Sequence, residues 1–220
     1  VALANAGDLR GFTALIENRN GRQYLTFTNG LYKVSYKYEN TPSIMSSTVL
    51  NEVIISNGTK AETFYWDYYF ESGEAAKLCP YVGDFCKNGR EQLAFSFLEG
   101  ETDSYDTLHV VAGNTLSEYF VIRPENILGK LITVNGYLDV GKKVLADLTS
   151  DGRNYYVSLA DCKMDLAEEI YAVKPNSRLT YEISEEGIVL QSFVEVGEGQ
   201  FIGRIRGNVI YNSRDVFRLT

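Results

Sequence analysis

The sequence predicts an all-β protein of antiparallel sheet, in a sandwich or barrel architecture, with two tandem β domains and at most one or two short helices. Three observations carry this expectation. Asn-Gly recurs at 20, 29, 57, 88 and 135, and Asp-Gly stands at 151; these dipeptides tolerate positive φ at both central positions of a type I′ turn and are the strongest short-range hairpin signal. Between them, apolar and polar side chains alternate with the period of two that a half-buried strand requires. Little of the chain shows the 3.6-residue spacing of an amphipathic helix.

Taken in order, the first alternating run is "NGRQYLTFTNG", opened by Asn20. Next, "LYKVSYKYE" places Tyr32, Val34, Tyr36 and Tyr38 on one face and Lys33, Ser35 and Lys37 on the other, the pattern of a strand with one face packed and one wet. Strands are expected at 49–55 and 64–70, then at 93–97, and "TLHVVAG" around His109 is a strand-like apolar segment. Further strands are expected at 144–148, 155–159, 179–183, 188–196 and 201–205. The best helical stretch is "LADCKMDLAEEIYAV", where Leu159, Cys162, Leu166 and Ile170 approach helical spacing, although its start also continues a strand.

Asn or Asp, then Gly, then Arg occurs at 20–22, 88–90 and 151–153. The pattern reads as a hairpin turn, an outward Arg and a following strand; its roughly 65-residue spacing also fits an eroded internal duplication. In "IRPENILGK", Pro124 and Glu125 interrupt a strand signal. A boundary there gives domains 1–125 and 126–220, each of β-sandwich size; the alternative is one large all-β domain, 1–220, with the proline on an edge strand.

The balance of 21 basic against 29 acidic residues, net charge −8, repels polyanions and argues against nucleic acid as a partner. No apolar run approaches the roughly 18–20 residues of a membrane-spanning helix. Ala4-Asn5-Ala6 before Gly7 has the shape of a signal-peptidase site, and Asn57 heads the only Asn-x-Ser/Thr sequon with no Pro in the middle. Of the three cysteines, Cys79 and Cys86 bracket "PYVGDF", read as a short loop able to bring the sulfurs together, while Cys162 is left over for an interchain bridge or a buried free thiol. These features predict a secreted, disulfide-containing glycoprotein.

The chemistry expected is sparse. His109 is the only histidine, which excludes a multi-histidine zinc site and makes a packed or hydrogen-bonded role the expectation for it. No nucleophile elbow, Walker sequence or dinucleotide fingerprint is present, so no cofactor is expected. Glu99, Glu101, Asp103 and Asp106 form the densest acidic loop, a weak calcium candidate whose order does not match an EF-hand. The most unusual segment is "FYWDYYF": on a strand it sends Phe64, Trp66, Tyr68 and Phe70 to one face and Tyr65, Asp67 and Tyr69 to the other. If exposed, the second face would stack on a sugar ring or anchor a neighbouring subunit; otherwise it packs against tyrosines of another strand. The expectation is a non-enzymatic extracellular protein, a subunit of a coat, filament or storage particle made with itself or homologous subunits. The alternatives are a binding module or carrier for a carbohydrate or apolar small molecule, and thirdly a carboxylate-based hydrolase.

Overall fold

The computed structural model of the chain describes residues 9–38, 49–69, 75–99, 105–128, 134–135, 143–148, 153–158, 173–196, 200–211 and 218–219. The expected helix at 159–173 and Cys162 fall outside them, except for Val173, which starts a strand. Strand dominates, and every strand pair with an assigned register is antiparallel. The sheets are open, and no barrel closes among the described residues. The chain divides into two compact units, Val1–Val121 with Ile183–Gly187, and Ile122–Glu182 with Ile188–Thr220.

In the first unit, β1 (Thr13–Arg19), β2 (Arg22–Thr28), β3 (Lys33–Tyr38), β4 (Val49–Leu50), β5 (Val53–Ser56), β6 (Ala61–Phe64), β7 (Tyr68–Tyr69), β8 (Tyr81–Gly83), β9 (Gln92–Leu98), β10 (Asp106–Ala112) and β11 (Glu118–Ile122) follow one another. One sheet has the order β1-β2-β3-β5-β6, a second has β11-β10-β9-β8, and β4 pairs with β7. The two larger sheets contribute to one core. Alternation places Leu25 and Phe27 of β2, Val34 and Tyr36 of β3, and Val53 and Ile55 of β5 in the same buried cluster as Leu93, Phe95 and Phe97 of β9 and Val111 of β10. Trp66 lies in this cluster, its ring 4.7 Å from Phe64, 5.2 Å from Phe95 and 4.1 Å from the imidazole of His109. Buried phenols need acceptors: Tyr36 donates to the Leu78 carbonyl at 2.7 Å and Tyr68 to the Lys37 carbonyl at 2.7 Å.

The outer face of the first sheet is polar. Glu17 of β1 pairs with Lys33 of β3 at 2.7 Å and with Arg19, and Arg19 also donates to Ser35 at 2.8 Å. Burial works to raise the Glu17 carboxyl, but the hydrogen bonds and charges of Lys33 and Arg19 outweigh it and hold the group below its ordinary value.

Short helical turns at Ala75–Leu78 and Pro124–Ile127 are the helices among the described residues. The second unit contains β12 (Val134–Asn135), β13 (Lys143–Leu148) and β14 (Arg153–Ser158) in one sheet, and most of β15 (Val173–Ser184), β16 (Gly187–Val196), β17 (Gln200–Ile210) and β18 (Arg218–Leu219) in another, the hairpin end Ile183–Gly187 being counted with the first unit. The β15–β16 hairpin keeps the alternation: Leu179, Tyr181, Ile183, Ile188, Leu190 and Val194 are buried, while Arg206 and Gln191 both donate to Glu182 on the wet face at 2.6 Å.

The pairing expected of Cys79 and Cys86 is not seen. Both are buried free thiols rather than a bridged pair. The residues between them are not simply a loop: Tyr81–Gly83 is strand β8, paired with β9. Cys79 instead donates its thiol to the Leu9 carbonyl at 3.3 Å. Burial, then the Asp84 charge, pushes the Cys86 thiol up to about 11.

Candidate functional site

The turns that join these strands fall into two kinds. Asn20-Gly21 is the two-residue hairpin expected, with φ of 53° and 76° between the paired Arg19 and Arg22. Asn29 and Asn57 instead open four-residue loops. Thr28 pairs with Lys33 and Ser56 with Ala61, and the loops close by Asn29 N–H to the Tyr32 carbonyl and Asn57 N–H to the Lys60 carbonyl, both at 3.2 Å. In each, the Asn side-chain oxygen accepts the backbone N–H groups two and three residues on: Leu31 at 3.1 Å and Tyr32 at 2.8 Å, Thr59 at 3.2 Å and Lys60 at 3.2 Å. This is the Asx turn, which lets a side chain replace part of a backbone turn. Asn88 repeats the motif, accepting the Arg90 N–H at 3.0 Å. Its loop is further fixed by Asp84, whose carboxylate accepts Asn88 N–H at 2.9 Å and Gly89 N–H at 2.8 Å. The Asn88 bond, and then that of Gly89, outweigh burial and hold the Asp84 carboxyl below its ordinary value.

These three loops meet at one end of the first unit, around an open cleft of about 530 Å³. The residue that follows each Asn-Gly, Leu31, Thr59 or Arg90, lines it, and Asn114 of the β10–β11 turn adds a fourth side. Asn57 ties two of the walls together, since its amide nitrogen donates to the Gly113 carbonyl at 2.8 Å and the Asn114 carbonyl at 3.1 Å. The floor is Tyr32, buried to 4% exposure. Its hydroxyl occupies the space that a side chain at Gly113 would need: a Cβ there would lie 2.1 Å from Tyr32 Oη. The same hydroxyl donates to Glu91 at 3.4 Å. Burial first, and then the Glu91 carboxylate, raises the Tyr32 phenol above its ordinary value, so it stays a donor at neutral pH.

Several groups are left to face a ligand. Arg90 is exposed, and its guanidinium makes no hydrogen bond or ion pair among the described residues. Thr59 retains its hydroxyl lone pairs, Asn114 presents a side-chain amide, and Leu31 is 53% exposed, an apolar ledge beside polar neighbours. A few placed polar groups around an apolar surface are what a small-molecule site requires.

The residues singled out in the sequence are placed differently. Tyr65 is 73% exposed and Asp67 is exposed, with Trp66 and Tyr68 buried between and after them, so the alternation holds although residues 65–67 are not in a strand. Tyr69 lies in β7, and its side chain is outside the described residues, as is Phe70. Neither Tyr65 nor Asp67 lines the cleft; Asn57 does. In that role the sequon asparagine is a structural staple, with its amide nitrogen committed to two carbonyls.

In the acidic loop, Glu101 and Asp103 fall outside the described residues, and Asp106 accepts a hydrogen bond from Ser96 at 3.0 Å. Among the described residues, no three His, Cys, Asp or Glu side chains gather as a metal site. His109 is fully buried, stacked on Trp66 and on Phe97, with Nδ1 2.9 Å from Glu118 and Nε2 3.7 Å from Glu99. It is part of the core.

The sequence reading missed Leu31, Arg90, Glu91, Gly113 and Asn114. The signal was present in the recurrence of Asn-Gly itself, because a capped loop fixes the direction of the residue after it. Family models, curated proteins and solved structures yield no match to this chain, and the chemistry of the cleft therefore follows from its own residues.

Proposed function

We propose that the protein is a non-enzymatic extracellular binding module that takes a carbohydrate in the cleft between the Asn29, Asn57 and Asn88 loops. The observation that carries this reading is the convergence of three side-chain-capped loops on one preformed concavity. Binding residues held on loops by a rigid sheet scaffold lose little conformational entropy when a ligand arrives. The mixture also suits a sugar: Thr59, Asn114 and Arg90 offer donors and acceptors for hydroxyls, and Leu31 offers an apolar surface for the C–H face of a ring. The burial of His109 in the core supports the non-enzymatic part of the reading.

A panel of immobilised oligosaccharides, probed with the labelled protein, tests it. Leu31→Ala and Asn114→Ala should each weaken the captured saccharide about tenfold while leaving the unfolding midpoint within the small range of surface substitutions. Capture of no saccharide, or capture indifferent to both substitutions, would overturn the proposal.

A second reading, a subunit of a larger assembly, is favoured by one observation. Tyr65 is 73% exposed beside β6, which is an edge of its sheet, and exposed aromatic rings and open edges are natural contact points between chains. Concentration-dependent sedimentation that disappears in Tyr65→Ala would select this reading.

A further inference from the structure

We infer that the ligand of the cleft is an acidic saccharide, one bearing a carboxylate, and that Arg90 is the residue that selects it. This rests on the carbohydrate reading above and adds the ligand's charge.

Arg90 differs from Arg10, Arg19 and Arg206, which are paired, and shares with Arg178 the lack of a side-chain partner among the described residues; of these two only Arg90 lines the cleft. Arg10 donates to the Cys79 carbonyl at 2.6 Å and to Tyr81 at 2.7 Å, Arg19 pairs with Glu17, and Arg206 pairs with Glu182 at 2.6 Å. In a chain with 29 acidic residues against 21 basic ones, carboxylate partners are in excess. Arg90 takes none of them among the described residues, not even its neighbour Glu91. Glu91 is instead engaged by the Tyr32 hydroxyl on the cleft floor.

The backbone around Arg90 is unusually well held for an exposed loop. Its N–H donates to Asn88 and its carbonyl accepts the Gln92 side chain, while Asp84 anchors the two residues before it. A guanidinium so placed presents a planar fork of donors, whose best partner is a carboxylate bound through two parallel hydrogen bonds.

The surroundings decide among anions. A phosphate dianion gains from several cations or a row of backbone N–H groups, whereas this cleft has one cation with the Glu91 carboxylate beside it. A monoanionic carboxylate on a polyhydroxylated ring suits the site better, with its charge on Arg90 and its hydroxyls on Thr59 and Asn114. Uronate and sialate residues have this chemistry.

The test uses the full chain, titrated by ligand-observed NMR with methyl glucuronide, methyl sialoside, methyl glucoside and inorganic phosphate. At least one acidic glycoside should bind about tenfold more tightly than the glucoside, the size expected of a charge-assisted bidentate contact in an open site. Arg90→Ala should bring that ratio close to one, and Arg90→Lys should leave it in between. Equal binding of acidic and neutral glycosides, or a preference that survives Arg90→Ala, would overturn the inference and leave the carbohydrate reading standing. Competition by phosphate as strong as that of the acidic glycoside would also overturn it. Failure of every glycoside to bind would remove the carbohydrate reading itself.

Discussion

Gly113→Ala tests the architecture of the cleft at its tightest point. The added methyl would lie 2.1 Å from Tyr32 Oη, 3.0 Å from Tyr32 Cζ and 3.0 Å from the Glu91 carbonyl oxygen. Tyr32 is almost fully buried, and Gly113 N–H donates to that same Glu91 carbonyl at 3.0 Å, so neither side yields freely. Overpacking of this kind costs about 1–3 kcal/mol, and displacing the phenol also forfeits its bond to Glu91, about 1 kcal/mol more. The expected loss is therefore about 2–4 kcal/mol, read from urea denaturation at constant m-value. Tyr32→Phe removes the atom at 2.1 Å and leaves the nearest approaches at 3.0 Å. The double variant should then recover about 1–2 kcal/mol relative to the sum of the single changes, a coupling typical of residues in direct contact. A loss below about 0.5 kcal/mol for Gly113→Ala, which is the range of neutral surface changes, or strict additivity in the cycle, would refute the packing argument.

Other predictions concern the loops, the thiols and the sheet face. Asn57→Ala removes the Asx turn and both bonds to the β10–β11 turn, and should cost about 2 kcal/mol in the same assay; a wild-type midpoint would show that the staple is idle. Because burial and Asp84 lift the Cys86 thiol to about 11, its thiolate is about a hundredfold scarcer at pH 8 than at the reference value of 9.0. Iodoacetamide should therefore spare Cys86 in the native protein, as burial alone should spare Cys79, and should label both after denaturation without reductant; no labelling after denaturation would mean that they are bridged. The Glu17 carboxyl is lowered in the folded state, so its contribution is present above the unfolded value near 4.5 and is lost as pH falls through the lower folded value. Glu17→Gln should remove up to about 1 kcal/mol at pH 7 and flatten the decline of stability below pH 4.5; a decline identical to that of the wild type would exclude this ion cluster as its source.

Where one sheet face is wet, the fold was legible. Lys33–Tyr38 and Gly187–Val196 alternate in sequence and form strands where the alternation lies. Asp106–Ala112 gave a weaker signal because Thr107, His109 and Val111 on one face and Leu108, Val110 and Ala112 on the other are all essentially buried, and a strand covered on both sides reads as a continuous apolar run. Residues 79–86 were misread because Pro80 and Gly83 look like loop punctuation, while Tyr81–Gly83 pairs as a short strand with β9. The "FYWDYYF" stretch kept its alternation into Trp66 and Tyr68 but lost the ladder at 65–67. The cleft was the least visible feature. Its residues are far apart in sequence, its polar groups carry no reactive signature, and Asn-Gly alone does not distinguish the two-residue hairpin at Asn20 from the capped loops at Asn29, Asn57 and Asn88. That difference depends on how many residues separate the paired strands, which is a property of register.

The most direct test is a titration of isotope-labelled protein with the tightest saccharide found, followed residue by residue through backbone amide shifts. The largest changes should fall on Leu31, Thr59, Arg90 and Asn114, with Tyr65 and the β16–β17 hairpin unmoved. Shifts centred on Tyr65 and β6, with Leu31, Thr59, Arg90 and Asn114 silent, would contradict the cleft as the binding site.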